Sequence, residues 1–325
     1  MVKVLMLSKW HVHAVDYARA ISSQEDSCIS CVWDEDTKRG TEWAKELNVP
    51  FEGDLEKALG RSGVDAVVVC TPTNDHRRVM TAAAKAGKHI YTEKVLASTL
   101  EDCKAIAEEV KKSGVKFCIS FPQLTNPIIQ YAKEAIEQNW LGKLHYLRIR
   151  NSHAGTLMDW LPKHWYDAEK ACGGAMMDLG CHPLYIASHL LGKPSRVASI
   201  FNNNLAPQNL DDNAVSVVEF ENKVIAVLET SFISPHHNKC FELLGTEGAI
   251  VQINNDIKVR SKHFKEGWFI PDRLPNPLNM PIRFWLDGIT KGSNIPYDLE
   301  KAISLTELME NAYISDREQR IVKID

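Results

Sequence analysis

No uninterrupted apolar run in this chain approaches the ~18 residues that cross a bilayer, and no charged segment with a cleavage site precedes the first apolar stretch at Val2. Neither membrane insertion nor secretion is signalled, so the expected compartment is the cytoplasm. Long basic runs are missing too. Lys and Arg number 38 against 42 Asp and Glu, a formal net charge of −4. That balance argues against nucleic acid and membrane surfaces as partners and leaves small molecules or further copies of the chain. The eight cysteines, Cys28, Cys31, Cys70, Cys103, Cys118, Cys172, Cys181 and Cys240, lack framework spacing, which excludes a disulfide-stapled scaffold and predicts free thiols. Cys28 and Cys31 form a C-x-x-C, but no second pair follows at similar spacing. Their odd separation on a strand sends them to opposite faces, so two packed thiols are expected rather than a zinc site. Repeats and low-complexity tracts are also absent.

Glycine is missing where a nucleotide fold needs it. The stretch VKVLMLSKWHVHAVDYARAI, residues 2–21, has the strand, short turn and helix of a dinucleotide-binding opening. At the three positions where that turn places glycine, spaced i, i+2 and i+5, stand Ser8, Trp10 and His13. The surrounding pattern is nevertheless parallel α/β. Apolar strands are predicted at 2–7, 28–33, 64–70, 88–94 and 115–121, alternating with helices such as 76–87, ending at Gly87, and 99–112, ending near Gly114. Residues 1–121 therefore read as a Rossmann domain, a doubly wound parallel sheet. After Pro122 the period changes. A helix at 127–138 is followed by apolar/polar alternation from Lys143 to His153 and at 214–220, 223–232 and 240–244, with one helix between and a last one over 298–313. Residues 122–325 read as an α+β domain with an open-faced, mostly antiparallel sheet. A length of 325 residues, 44% of them hydrophobic, suits two such domains.

Two constellations carry chemistry. In GGAMMDLGCHPLYIASHLLG, Asp178 and His182 are four apart, so on a helix they share one face. A carboxylate beside an imidazole makes an acid–base pair that can take a proton from a hydroxyl near neutral pH. A surface ion pair remains open, and so does a metal site, although no third ligand can be named. In HIYTEKV, Glu93 and Lys94 stand at the carboxyl end of a predicted parallel strand, where open α/β sheets bind ligands.

Taken in order, the strand–turn–helix opening, CTPTNDH at 70–76, GKHIYTEK at 87–94, LGKL at 141–144, GGAMMDLGCHP at 173–183 and GTEGAI at 245–250 resemble the Gfo/Idh/MocA oxidoreductases, the family of glucose-fructose oxidoreductase and inositol dehydrogenase. The resemblance covers nearly the whole chain. It implies a Rossmann domain joined to an open-faced sheet domain, and hydride transfer between NAD(P) and a carbinol carbon of a sugar, cyclitol or glycoside. It further implies that Lys94, Asp178 and His182 are catalytic and meet the substrate, His182 as proton acceptor. Cofactor contacts are implied at Ser8, Lys9, Trp10, His11, His13, Asp34, Thr71, Pro72, Asn74, His76, Glu93 and Lys94. The chemistry is coherent: hydride leaves the carbinol carbon only as the O–H proton leaves, so a base and a nicotinamide must act together. Lys94 would stabilise the developing alkoxide and Asp178 would orient the imidazole.

Two departures from the family pattern qualify this. Trp10 stands where the second glycine admits the pyrophosphate, so either the indole swings aside or the cofactor sits differently. Helix N-terminal amides, Ser8 and Lys9 still favour a phosphate. About twenty residues on, CVWDED places Asp34 at the end of the second strand, where a carboxylate accepts the ribose hydroxyls. Glu35 and Asp36 favour NAD over NADP, softened by Lys38 and Arg39. Val95 replaces the proline that commonly follows the Glu-Lys pair, and a trans bond there could re-aim Lys94.

Substrate contacts are expected from His153, His164 and Trp165, types that hydrogen-bond hydroxyls and stack on sugar faces. Trp160 reads equally as core, and His236-His237 equally as a solvated turn. Three functions follow: an NAD-dependent dehydrogenase, a relative that retains and internally recycles NAD, and a cofactor-free sugar-binding or regulatory protein. A homodimer or homotetramer through the open sheet is expected, because that face is otherwise unprotected.

Overall fold

In the computed structural model, which describes residues 1–207, 210–236 and 238–324, the apolar run Ala66–Val69 is the middle strand of a five-stranded sheet. The elements leading through it are β1 (Val2–Leu7), α1 (Ala14–Ser22), β2 (Ser27–Trp33), α2 (Thr37–Glu46), α3 (Leu55–Gly60), β3 (Ala66–Val69), α4 (His76–Lys85), β4 (His89–Thr92), α5 (Leu100–Ser113) and β5 (Phe117–Ile119). The strands run parallel in the order β2-β1-β3-β4-β5. Every residue of β3 is buried, as a strand covered on both faces requires. Local signals set the helix ends: Asp36 accepts from the amides of Lys38 and Arg39 to start α2, and Thr99 starts α5, which closes on Gly114 at φ 66°. Strands β1 and β2 reach their predicted ends and β3, β4 and β5 are shorter than predicted, although one ladder bond persists past each of β3 and β4: Cys70 N donates to Leu7 O and Glu93 N to Val69 O. A bulge in β2 opposite Val4 and Leu5 interrupts the alternation on which the opposite-face expectation for Cys28 and Cys31 rests. All eight cysteines are free.

The second sheet has nine strands. Along the chain come α6 (Pro127–Glu137), β6 (Leu144–Ser152), α7 (Ala168–Ala171), a π-helical turn (Met176–Gly180) continuing into α8 (Cys181–Leu191), β7 (Pro194–Asn202), β8 (Asn213–Phe220), β9 (Ile225–Ser231), β10 (Lys239–Gly245), β11 (Gly248–Ile253), β12 (Asp256–Ser261) and β13 (Lys265–Phe269). Then follow α9 (Pro281–Thr290), α10 (Leu299–Glu318) and β14 (Val322–Lys323). The sheet order is β13-β12-β11-β10-β6-β9-β8-β7-β14. Among the described strands β6 and β9 pair in parallel and the other neighbours are antiparallel. Leu147, Ile149, Ala226 and Leu228 are buried on the face that packs against α8. Alternate residues on the other face include the exposed Val215, Val217 and Ile225, with Arg148 and Arg150 both paired to Glu229.

The chain divides into two compact units, Met1–Phe121 with Asn279–Thr306, and Pro122–Leu278 with Glu307–Asp325. The pattern of the sequence assigned all of 122–325 to a second domain, whereas the structure groups 279–306 with the first. The reason is α9, which packs on β4, β5 and α1, buries Ile282, Trp285 and Leu286, and anchors Arg283 to Asp26 at 2.7 Å. Among the described residues no helix is long and apolar enough to cross a membrane.

Candidate functional site

In the first unit the turn after β1 closes without glycine. Ser8 adopts φ 74°, the left-handed conformation that the first glycine would supply, and its hydroxyl accepts from Trp10 N at 3.0 Å. The turn is knit together by its own amides. Ser8 N donates to Trp33 O and His11 N to Cys70 O, Lys9 N to Asp34 Oδ2, His13 N to His11 Nδ1 and Ala14 N to His11 O. Trp10 is 4% exposed, its ring folded in beside His11. Lys9, expected beside a phosphate, pairs with Glu46 at 2.7 Å. His13 is exposed at the start of α1.

Asp34 stands at the end of β2 with its carboxylate fully enclosed. Oδ1 accepts from Asp36 N at 2.8 Å and Arg39 Nη2 at 2.6 Å, and Oδ2 from Lys9 N at 2.9 Å and Arg39 Nε at 3.0 Å. Those four donors match the acceptor capacity of a carboxylate. Arg39 also reaches Ser8 Oγ and Glu35, and burial, reinforced by Asp34, pushes the Glu35 carboxyl up.

At the carboxyl ends of β3 and β4 the groups are buried. Among the described residues no hydrogen-bond partner reaches the enclosed Thr71 Oγ1, an orphaned polar atom of the kind a ligand satisfies. Pro72 is buried and Asn74 exposed. His76 is a brace: its ring nitrogens face the carbonyls of Val95, Leu96 and Thr71 at 3.0–3.2 Å, and burial holds its pKa down. Glu93 receives the Tyr17 hydroxyl, accepts from Lys94 N at 2.9 Å and faces His11 Nδ1 at 3.5 Å. Burial pushes this carboxyl up, but the charges of His11, Lys94 and His13 and the Tyr17 bond together bring it down to about 2. The Lys94–Val95 peptide is cis, so the trans alternative is not the one adopted.

In the second unit Asp178 lies in the π-helical turn rather than in a regular α-helix, and His182 follows in α8. The start of this helix is set by Asp211, whose carboxylate accepts from Gly174 N at 2.9 Å, Met176 N at 2.6 Å and the Tyr313 hydroxyl at 3.2 Å. Burial pushes the Asp211 carboxyl up against those bonds. Gly174 is required there, since a Cβ would fall 1.9 Å from Asp211 O. The Nδ1 of His182 is 2.7 Å from Tyr185 Oη, which also accepts from Gln123 N at 3.1 Å. His153 stacks on Phe232 and leans on Trp160, centroids 5.0 and 4.6 Å apart. Its Nδ1 accepts from Gly155 N at 3.0 Å, and burial lowers its pKa although Asp178 is near enough to oppose this. His164 is exposed. Trp165 is buried, while Trp160 is 54% exposed. His236 is exposed and His237 lies outside the described residues. Among the described residues no group of three or more His, Cys, Asp and Glu side chains could hold a metal ion.

Sequence reasoning missed Tyr185 and Asp211 as site-shaping residues, and named Arg39 for its charge near the cofactor but not as the partner of Asp34. Tyr185 had a signal, since it is three residues beyond His182 on a helix. Arg39 and Asp211 reach their partners across a strand–helix turn and from a distant loop, where no spacing rule applies.

Two family descriptions match the chain: "Oxidoreductase family, NAD-binding Rossmann fold" over residues 12–121 and "GFO/IDH/MocA C-terminal domain" over residues 129–251. The chain is 32% identical over 237 residues to the scyllo-inositol 2-dehydrogenase (NAD(+)) of Bacillus subtilis, covering 71% of this chain and 67% of that one. It is 27% identical over 245 residues to the myo-inositol 2-dehydrogenase of Thermotoga maritima, covering 73% and 71%. Levoglucosan dehydrogenase in complex with NADH superposes with a TM-score of 0.85 at 20% identity, covering 100% and 99%. At that identity the likeness speaks for the fold.

Proposed function

The chain belongs to the Gfo/Idh/MocA oxidoreductase family, and from that premise we propose that it transfers a hydride between NAD and a carbinol carbon of a sugar, cyclitol or glycoside. One observation carries the reading: a chain whose first domain matches an NAD-binding family retains a lysine at the carboxyl end of β4 and a carboxylate and imidazole one helical turn apart, Lys94, Asp178 and His182. His182 takes the hydroxyl proton. Lys94 stabilises the alkoxide, and Asp178 supplies negative charge toward the imidazolium that forms. His153, held neutral with Nδ1 as acceptor, offers Nε2–H to a substrate hydroxyl, and the exposed Trp160 beside it offers a stacking surface. His164 and Trp165 remain substrate candidates.

Thr71, Glu93 and the start of α1 fit a dinucleotide, whose nicotinamide would accept the hydride when bound. Because the amides of Ser8, Lys9, Trp10, His11, His13 and Ala14 donate within the protein, the pyrophosphate falls to the amide of Val12 and to those that follow Ala14 in α1. Asp34 meets the ribose hydroxyls once Arg39 turns away. NAD is preferred over NADP because Glu35 and Asp36 adjoin Asp34. The family's open sheet face, with Val215, Val217 and Ile225 exposed, associates with a second copy.

A second reading, a cofactor-free sugar-binding or regulatory protein, is favoured by the same filled amides and the saturated Asp34. One experiment separates them. The purified protein is denatured, released nucleotide is identified by mass spectrometry, and the stripped protein is titrated with NAD and NADP before a panel including scyllo-inositol, myo-inositol and levoglucosan is assayed. Nucleotide release or NAD binding, with turnover that falls roughly 10²–10⁴-fold in His182→Ala at unchanged NAD affinity, is expected. No nucleotide and no binding would sink the dehydrogenase reading.

A further inference from the structure

We infer that Tyr185 is the positioning residue that decides which nitrogen of His182 accepts a proton. The inference rests on the reading of His182 as a base. The two residues stand three apart on α8 and so share a face. Tyr185 Oη is 2.7 Å from Nδ1, the rings meet edge to face with centroids 5.4 Å apart, and both side chains are buried. The phenol oxygen is also fixed from outside α8. It accepts from the backbone amide of Gln123 at 3.1 Å, in the turn Pro122–Thr125 that precedes α6. The hydroxyl is therefore pinned between two elements, and the imidazole is pinned to the hydroxyl.

A neutral imidazole carries one proton on one of its two nitrogens. To take a proton at Nε2 the ring must already hold its own proton on Nδ1, and that proton needs an acceptor. Tyr185 Oη has two lone pairs. One takes Gln123 N–H and the other takes Nδ1–H, which leaves the phenolic proton pointing away from the ring. When Nε2 gains the substrate's proton, the Nδ1–H···Oη bond becomes charge-assisted and strengthens. The contact thus contributes more after proton transfer than before it, the differential that a supporting group for a base must have. A neutral phenol achieves this without adding a second formal charge to that of Asp178.

The test uses the full chain labelled with ¹⁵N-histidine, in which the ring shifts of His182 report its tautomer. The resonances are assigned by their loss in His182→Asn. Above the ring's titration, wild-type His182 is expected as the Nδ1–H tautomer. In Tyr185→Phe, which keeps the aromatic ring and removes the acceptor, the ratio is expected to reverse toward Nε2–H while NAD affinity is unchanged. A wild-type ring found as Nε2–H would mean that Tyr185 donates to Nδ1, and would overturn the inference. So would a Tyr185→Phe spectrum matching wild type. The wild-type spectrum decides by itself if the variant fails to fold. Failure of the underlying reading looks different: turnover surviving in His182→Ala removes the base whatever the tautomer.

Discussion

Replacing Glu93 with glutamine separates the charge of this residue from its hydrogen bonds. An amide can keep the bonds. Its oxygen can face Lys94 N, now 2.9 Å from Oε2. Its NH₂ can face Tyr17, whose hydroxyl turns its proton to Ser120 Oγ at 2.7 Å. What is lost is the charge that His11, Lys94 and His13 offset. Holding the carboxyl at about 2 instead of its ordinary 4.5 is worth about 3 kcal/mol by linkage, since the group is fully buried and screening is weak. Glu93→Gln is therefore expected to lose about that much stability near pH 5, where the charged neighbours that hold the carboxyl down are present. The folded-state pKa is depressed, so the unfolded chain binds the proton first on acidification. The contribution is complete above 4.5 and lost as pH falls toward 2. In denaturant unfolding followed by circular dichroism, the gap between wild type and variant should be widest near pH 5 and shrink to roughly half by pH 3. A gap that stays constant to pH 3 would refute the ionised, paired state of Glu93.

Two further outcomes follow. Arg39→Ala should bind NAD roughly tenfold more tightly, because the ribose no longer competes for Asp34 with a charge-assisted bond of about 1.5 kcal/mol, and should bind NADP more weakly for want of the cation; weaker NAD binding in isothermal titration would instead make Arg39 the group that positions Asp34. Val215→Lys with Val217→Lys places charge on the exposed face of the nine-stranded sheet and should dissociate the assembly in sedimentation at micromolar concentration, whereas a wild-type monomer would count against self-association through that face.

The sequence disclosed most where a local signal coincided with a structural need. Helix α5 lies between Thr99 and Gly114 because a hydroxyl and a left-handed glycine cap its ends, and β3 falls within the β-branched run at 64–70 that Gly63 and Pro72 bound. It disclosed less where partners are distant in the chain. The return of α9 to the first sheet depends on Arg283 meeting Asp26, 257 residues apart, and on Trp285 filling space beside Tyr91. Strands β7 and β11–β14 escape notice because each is short or starts at proline, glycine or a charged residue, and alternation over so few positions is weak evidence. At the candidate site the i, i+4 pair was legible, but the π-helical turn beneath Asp178 was not, since nothing in MMDLG distinguishes a five-residue turn from a regular one.

The glycine-free turn shows how a sequence rule can fail while its physical content survives. The first glycine is needed for a left-handed residue, which costs an L-amino acid about 1–2 kcal/mol. Ser8 accepts that cost at φ 74° and offsets it with two bonds to its hydroxyl, from Trp10 N and Arg39 Nη2, each worth about 1 kcal/mol. The third glycine is needed for close helix–strand packing. Here His13 is exposed and the small residues Ala14 and Ala18 are buried on a helix that packs against β2. The second glycine has no such substitute. Its task is to let a ligand approach the backbone, and with Trp10 in its place the turn spends its amides on the protein. Two of the three requirements are those of the fold and are met by other residues, whereas the third is that of the cofactor alone. With most of the turn's amides donating within the protein, the affinity for NAD, more than any feature of the fold, is the measurement on which the dehydrogenase reading turns.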